Sequence, residues 1–189
     1  FIFLDIESTG VDASRDHIIE IAALIWENFS VSSRWQSLIN PRIPVPREIT
    51  MLTGITDADV TGAPMFSEIK ETLANFVGDM PIVGHNIAFD TSFIRSHHLA
   101  LKNPEIDTVQ LARILLQKES SYALEVLMKK HGLPLRDSHR AMKDVETTVS
   151  FFEFLLGKID EIPSEAKKIL REILNKSSWG GKAAFQKIL

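Results

Sequence analysis

"FLDIESTG", residues 3–10, is the stretch on which the fold turns. It continues the apolar run "FIFLDI" (1–6), which reads as a buried strand, and it closes on Ser, Thr and Gly, residues that end strands in turns. Asp5 and Glu7 stand two apart near the end of that strand. Its two-residue period therefore points both carboxylates to one face, with Leu4 and Ile6 interleaved. Such a strand is expected in the middle of a sheet. Two neighbouring anions there repel and lose hydration unless something positive compensates, and a divalent cation is the simplest candidate. A pair of acids solvated at a strand end is the alternative.

Outward from this strand, "HIIEIAALIWE" (17–27) reads as a second strand and "SVSSRWQSLI" (30–39) as a third, giving an opening meander. Three prolines keep "NPRIPVP" (40–46) extended, and "REITMLTGIT" (47–56) offers one short helix ended by Gly54. "FSEIKETLANFVGD" (66–79) carries Phe66, Ile69, Leu73, Phe76 and Val77 at helical spacing, with Gly78 as the stop. "PIVGHN" (81–86) is a short buried strand running into a loop, and Asp90 lies just beyond, at the start of a helix to about residue 98. Further helices fit 107–117, 121–131 and a stretch from after His139 to about Gly157, where Val149, Phe151, Phe152, Leu155 and Leu156 are core positions. Strands first, then helices around a further short strand, define an α/β layer fold with a mixed sheet.

Two more carboxylates fall where such a fold gathers its chemistry. Asp90 closes "GHNIAFD" (84–90), a strand-to-helix passage of the kind that delivers side chains to the edge where strands end. An acid favoured there only by the helix dipole is the alternative. Asp144 belongs to "DSHRAMKDVETT" (137–148), five residues after His139. Within one regular helix the two would lie about 140° apart, at roughly 100° per residue. They converge on one cleft if the helix begins after His139, with Asp137 or Ser138 as its cap. Four carboxylates with no thiol among them suit hard, oxygen-preferring ions such as Mg²⁺ or Mn²⁺. With such ions bound, His139 is placed to take a proton from water.

The bulk properties agree with that chemistry. The chain has 189 residues and a formal charge of −4, which argues against a basic protein that coats nucleic acid but allows an enzyme that meets phosphate through metal ions. Charge is uneven: residues 158–189 sum to about +3 and the rest to about −7. The absence of cysteine excludes disulfides and thiolate nucleophiles. No apolar run reaches about 18 residues, and "FIFLDIESTG" meets an acid too early for a secretory segment, so a soluble cytoplasmic protein with no membrane partner is expected. The start at Phe1, inside a strand-like run, suggests a domain of something longer. Residues 161–189 read as an amphipathic helix from about Ser164, a Ser/Gly break at 177–181 and a short closing segment, together a linker or docking element.

In order and spacing, "FLDIESTG", "GHNIAFD" and "HRAMKD" resemble the three motifs of the DnaQ-like DEDDh 3′→5′ exonucleases. "LTGIT" (52–56), "IDTVQLAR" (106–113) and "ALEVLMKKHGL" fit between them, and the resemblance covers about residues 1–157. It implies an RNase H-like fold with a mixed five-stranded sheet, an exonuclease domain over 1–157 and a helical extension over 158–189. It implies two divalent ions, Mg²⁺ or Mn²⁺, held by Asp5, Glu7, Asp90 and Asp144, with His139 as general base. Thr9 and Gly10 would present backbone to the terminal nucleotide, and Asn86 and Phe89 would help seat its sugar or base; turn residues and one core Phe are the alternative. His85 belongs to the motif but not to the catalytic position and is read as packing beside the site. His17, His97, His98 and His131 have no such support. The expected partner is a single-stranded or frayed 3′ end of DNA, with RNA as the alternative. "LTGIT", where many members have His before the Gly, resembles branches fused to DinG-type helicases or PolC-type polymerases, so a polymerase or helicase is the expected partner or fused domain. A non-catalytic binding module of the same fold would lack one of the acids or the histidine; all five are present.

Overall fold

The computed structural model describes residues 1–135, 139–177, 182, 185, 186 and 189. Strands β1 (Ile2–Ser8), β2 (Ile18–Glu27) and β3 (Ser30–Leu38) form the expected antiparallel meander. Asn28 and Phe29 alone join β2 to β3, both at positive φ (51° and 58°), the two-residue turn whose twist matches that of paired strands. Strands β4 (Ile82–Gly84) and β5 (Glu105–Asp107) add in parallel, so the sheet is mixed, in the order β3-β2-β1-β4-β5, with β1 at its centre.

Helices cover both faces. Ile2, Leu4 and Ile6 of β1 pack with Leu73 and Val77 of α3 (Phe66–Val77) and with Phe93 and Ile94 of α4 (Ile87–Ser96). Phe3 turns the other way, into a cluster with Phe151, Phe152 and Leu155 of α7 (Ala141–Asp160). Strand periodicity thereby sends Asp5 and Glu7 to the α7 side. The remaining helices are α1 (Arg47–Thr53), α2 (Asp57–Thr61), α5 (Thr108–Leu115), α6 (Leu124–Lys130) and α8 (Ser164–Lys176). Among the described residues no helix is long and apolar enough to cross a membrane.

Several boundaries differ from the pattern in the sequence. The helix carrying Asp90 starts three residues before it, at Ile87, and the helix expected over 107–117 starts at Thr108, because Asp107 ends β5 and caps it. The helix expected over 121–131 is confined to Leu124–Lys130, after a Ser-rich approach. α7 passes through Gly157 to Asp160, drawn on by Ile159, which is fully buried. Beyond it, Leu174 of α8, Phe185 and Leu189 share the cluster that holds Phe152 and Ile159. Of the break expected at 177–181, residues 178–181 lie outside the described residues, as do the cap candidates Asp137 and Ser138.

Candidate active site

Asp5 and Glu7 leave the end of β1 on the face that α7 covers, and Asp144 comes down from the first turn of α7 to meet them. One carboxylate oxygen from each lies within 4.8 Å of the other two. The electrostatic consequence is large. Burial, then the charges of Asp90, Asp144 and Glu7, push the Asp5 carboxyl well above its ordinary range. Burial and the charges of Asp144, Glu20 and Asp90 raise Glu7 to about 8. Burial also raises Asp144, against hydrogen bonds from the His139 and Arg140 backbone. Three close oxygens that hold protons this tightly are a donor set that fits a divalent cation, whose charge would remove the repulsion.

Asp90 stands just outside this trio. It is buried, and its Oδ1 accepts the backbone N–H of Ile6, between Asp5 and Glu7, at 3.0 Å. Burial outweighs that hydrogen bond and raises its carboxyl to about 8. α4 thus ties Asp90 to the strand that carries the other acids.

His139 and Asp144 do converge. α7 begins after His139, with Arg140 at the N-cap, and His139 sits at φ 66°, in the left-handed region unusual for a residue with a Cβ. Its backbone N–H donates to Asp144 Oδ2 at 2.9 Å. Asp5, His85, Leu124, His139, Asp144 and Thr148 line one cavity of about 400 Å³. A larger cavity, about 530 Å³, is lined by residues such as Arg15, His17, Arg42 and His97 and includes none of the five residues of the acidic cluster and its histidine. We assign the chemistry to the smaller one, because Asp5, Asp144 and His139 line it.

Of the other residues selected from the sequence, His85 lines this cavity, whereas Thr9, Gly10, Asn86 and Phe89 do not. Thr9 is buried, its N–H donating to His17 O at 2.8 Å and its Oγ1 accepting from His17 N–H at 2.9 Å, which pins the exit of β1. A Cβ at Gly10 would run into the Asp16 carboxylate, which would have to swing aside to admit it. Asn86, exposed, takes the left-handed φ of 69° that turns β4 into α4, and Phe89 is half-buried, its ring 4.9 Å from that of Phe93. His85 packs beside the site: its two ring nitrogens lie 2.9 Å from Thr108 Oγ1 and 2.8 Å from Tyr122 O, and burial lowers its pKa.

Two residues escaped the sequence reading. Glu20 is fully buried on β2, directly opposite Glu7, and is bonded to Gln36, Arg140 and the backbone of Ala141. Burial pushes its carboxyl up, but those hydrogen bonds win and hold it below the usual range. Asp107 Oδ1 accepts N–H bonds from Asn86 at 3.0 Å and Val109 at 2.8 Å, joining the turn that launches α4 to the start of α5. The one available signal was a charged residue, Glu20, inside an otherwise apolar strand.

A mixed sheet in this order, helices on both faces and acids at the end of the central strand define an RNase H-like fold of the exonuclease type. The exonuclease family profile matches residues 2–152, and the chain belongs to that family, in its DnaQ-like branch. It is 34% identical over 165 residues to DNA polymerase III PolC-type of Clostridium perfringens, covering 85% of this chain and 11% of that one. With DNA polymerase III subunit epsilon of Aquifex aeolicus it shares 30% identity over 164 residues, 84% of this chain and 81% of that one. The chain thus spans about a tenth of the PolC-type relatives it matches. Among solved structures, exonuclease X in complex with 5′-overhanging duplex DNA superposes with a TM-score of 0.69 at 23% identity, over 82% of this chain and 90% of that one. E. coli exonuclease I in complex with a dT13 oligonucleotide gives 0.74 at 19% identity, over 97% and 45%.

Proposed function

We propose that this chain is a metal-dependent 3′→5′ exonuclease that hydrolyses the terminal phosphodiester of DNA to a nucleoside 5′-monophosphate. The convergence of Asp5, Glu7 and Asp144, with His139 bonded through its backbone to Asp144, carries the proposal. Asp5, Glu7, Asp90 and Asp144 would hold two divalent ions, Mg²⁺ or Mn²⁺. Bound there, the ions supply positive charge to the phosphate oxygens and acidify water. The chain's own residues do the rest. The His139 imidazole takes a proton of the attacking water at a ring nitrogen as the water oxygen bonds to the terminal phosphorus; the P–O3′ bond opposite breaks, and the 3′ oxygen of the shortened strand takes a proton from solvent. Thr9 and Gly10 offer backbone to the terminal nucleotide, while Asn86 and Phe89 flank its sugar and base. Residues 1–157 form the exonuclease domain, and 158–189 an extension toward a further domain or a polymerase or helicase partner. The PolC-type and epsilon relatives support DNA as substrate and proofreading or repair as the setting.

The test is degradation of 3′- and 5′-labelled single-stranded DNA and RNA of one sequence, with Mg²⁺, Mn²⁺ or EDTA. Metal-dependent mononucleotide release from the 3′ end is expected, faster on DNA, and reduced about 100-fold or more in Asp5→Ala and His139→Ala. RNA degraded faster than DNA would reassign the substrate. No release from either polymer by folded protein would overturn the enzyme reading.

A further inference from the structure

α7 has an unusual start. Its N-cap residue, Arg140, makes no side-chain capping bond, and the Asp144 carboxylate takes the His139 and Arg140 N–H groups just ahead of the helix, yet this start positions both His139 and Asp144. The first turn of a helix leaves N–H groups to be satisfied, and an uncapped turn frays. Here the cap comes from another strand. Glu20 Oε2 accepts the Ala141 N–H at 3.0 Å, and the same carboxylate receives a two-pronged ion pair from Arg140, Nε to Oε2 at 3.1 Å and Nη2 to Oε1 at 2.8 Å. Gln36 Nε2 donates to Oε1 at 2.8 Å.

These four bonds decide what Glu20 does. A carboxylate has about four acceptor sites, and all are taken, so Glu20 cannot serve as a metal ligand although it sits across the strand pair from Glu7. Its negative charge is instead consumed by a planar guanidinium matched to it in geometry, the strongest neutral-making pair available to side chains. The buried strand is the rigid half of the clamp and the helix start is the half that would otherwise move.

We propose that Glu20 and Arg140 are positioning residues: their ion pair fixes the first turn of α7 to β2 and thereby sets His139 and Asp144 against Asp5 and Glu7. The inference rests on the exonuclease reading above and assigns the origin of its site geometry. Groups that orient ligands and general bases in this way change turnover rather than substrate affinity, because a shift on the order of 1 Å at the reacting atoms costs about 100-fold in rate.

Glu20→Gln keeps shape and size but removes the ion pair; Arg140→Lys keeps the charge but removes the fork. Glu153→Gln is the control, because Glu153 also ties α7 to β2, accepting from Trp26 Nε1 at 2.8 Å, but far from the catalytic turn. With all proteins held well below their melting temperatures, Glu20→Gln and Arg140→Lys are expected to lower kcat about 30-fold, with KM within about threefold and Mn²⁺ affinity about tenfold weaker. Glu153→Gln should leave all three near wild type. If Glu20→Gln fails to fold, Arg140→Lys, at a side chain 42% exposed, carries the test alone. Equal kcat in the clamp and control variants, or an effect confined to KM, overturns the inference; an inactive wild-type protein overturns the exonuclease reading instead.

Discussion

At the scale of single residues, the acidic cluster is a place where the fold has been assembled against its own electrostatics. Asp5, Glu7, Asp90 and Asp144 all hold their protons more tightly in the folded chain than in an unfolded one. The sign follows directly. The stability these groups contribute is fully present below the unfolded carboxylate range, near 4, and is lost as pH rises through the folded values, which reach about 8 for Glu7 and Asp90. Metal-free protein should therefore melt roughly 5 °C or more lower at pH 8.5 than at pH 6, and Mg²⁺ should recover more of that loss at the higher pH. Asp5→Asn should raise the metal-free melting temperature at pH 8.5 while abolishing cleavage. Calorimetry with EDTA and with Mg²⁺ checks both, and a metal-free melting temperature independent of pH would refute the account. The pairing of Asp5 with Glu7 was legible in the sequence because strand periodicity is local. Glu20 was not, because its partners Arg140 and Ala141 lie 120 and 121 residues away and nothing local marks a carboxylate as caged.

At the scale of elements, the site depends on where two helices begin. α4 begins at a left-handed Asn86 whose N–H is held by Asp107, and the same carboxylate oxygen caps α5. Removing it in Asp107→Ala should cost about 1–2 kcal/mol, as losing a helix cap does. It should also lower kcat, since it loosens the turn that aims Asp90 at Ile6; a urea titration beside a steady-state assay measures the two together. Asn86→Gly should be tolerated by the fold, since glycine adopts φ near 69° freely, and it separates backbone from side-chain roles at that position. Long amphipathic helices such as α3 and α7 were plain from spacing, because their periodic faces match the core they pack on. β5 and α2, three and five residues long, carry too few periods to stand out; β5 exists because it pairs with β4.

At the scale of the whole molecule, the two helical layers have different duties. Both flank one sheet, but the α7 layer supplies His139 and Asp144, and it is also the layer onto which the end of the described chain folds. Leu174, Phe185 and Leu189 are all buried there beside Ile159 and Phe152. Side chains of this size stabilise by roughly 1.5–3 kcal/mol each when fully buried. A chain ended at residue 162, just past α7, should therefore lose about 4–8 kcal/mol before relaxation and melt well below the full chain. Its catalytic turn, however, is anchored through Glu20 on β2. Measured at a temperature where both are folded, the shortened protein should keep a kcat within about threefold of the full chain, and a lowered melting temperature with retained turnover would assign the extension to stability. A kcat that rises on truncation would show instead that residues 163–189 restrain the site, and one that collapses in a folded protein would show that α8 supports the α7 layer on which His139 and Asp144 are carried.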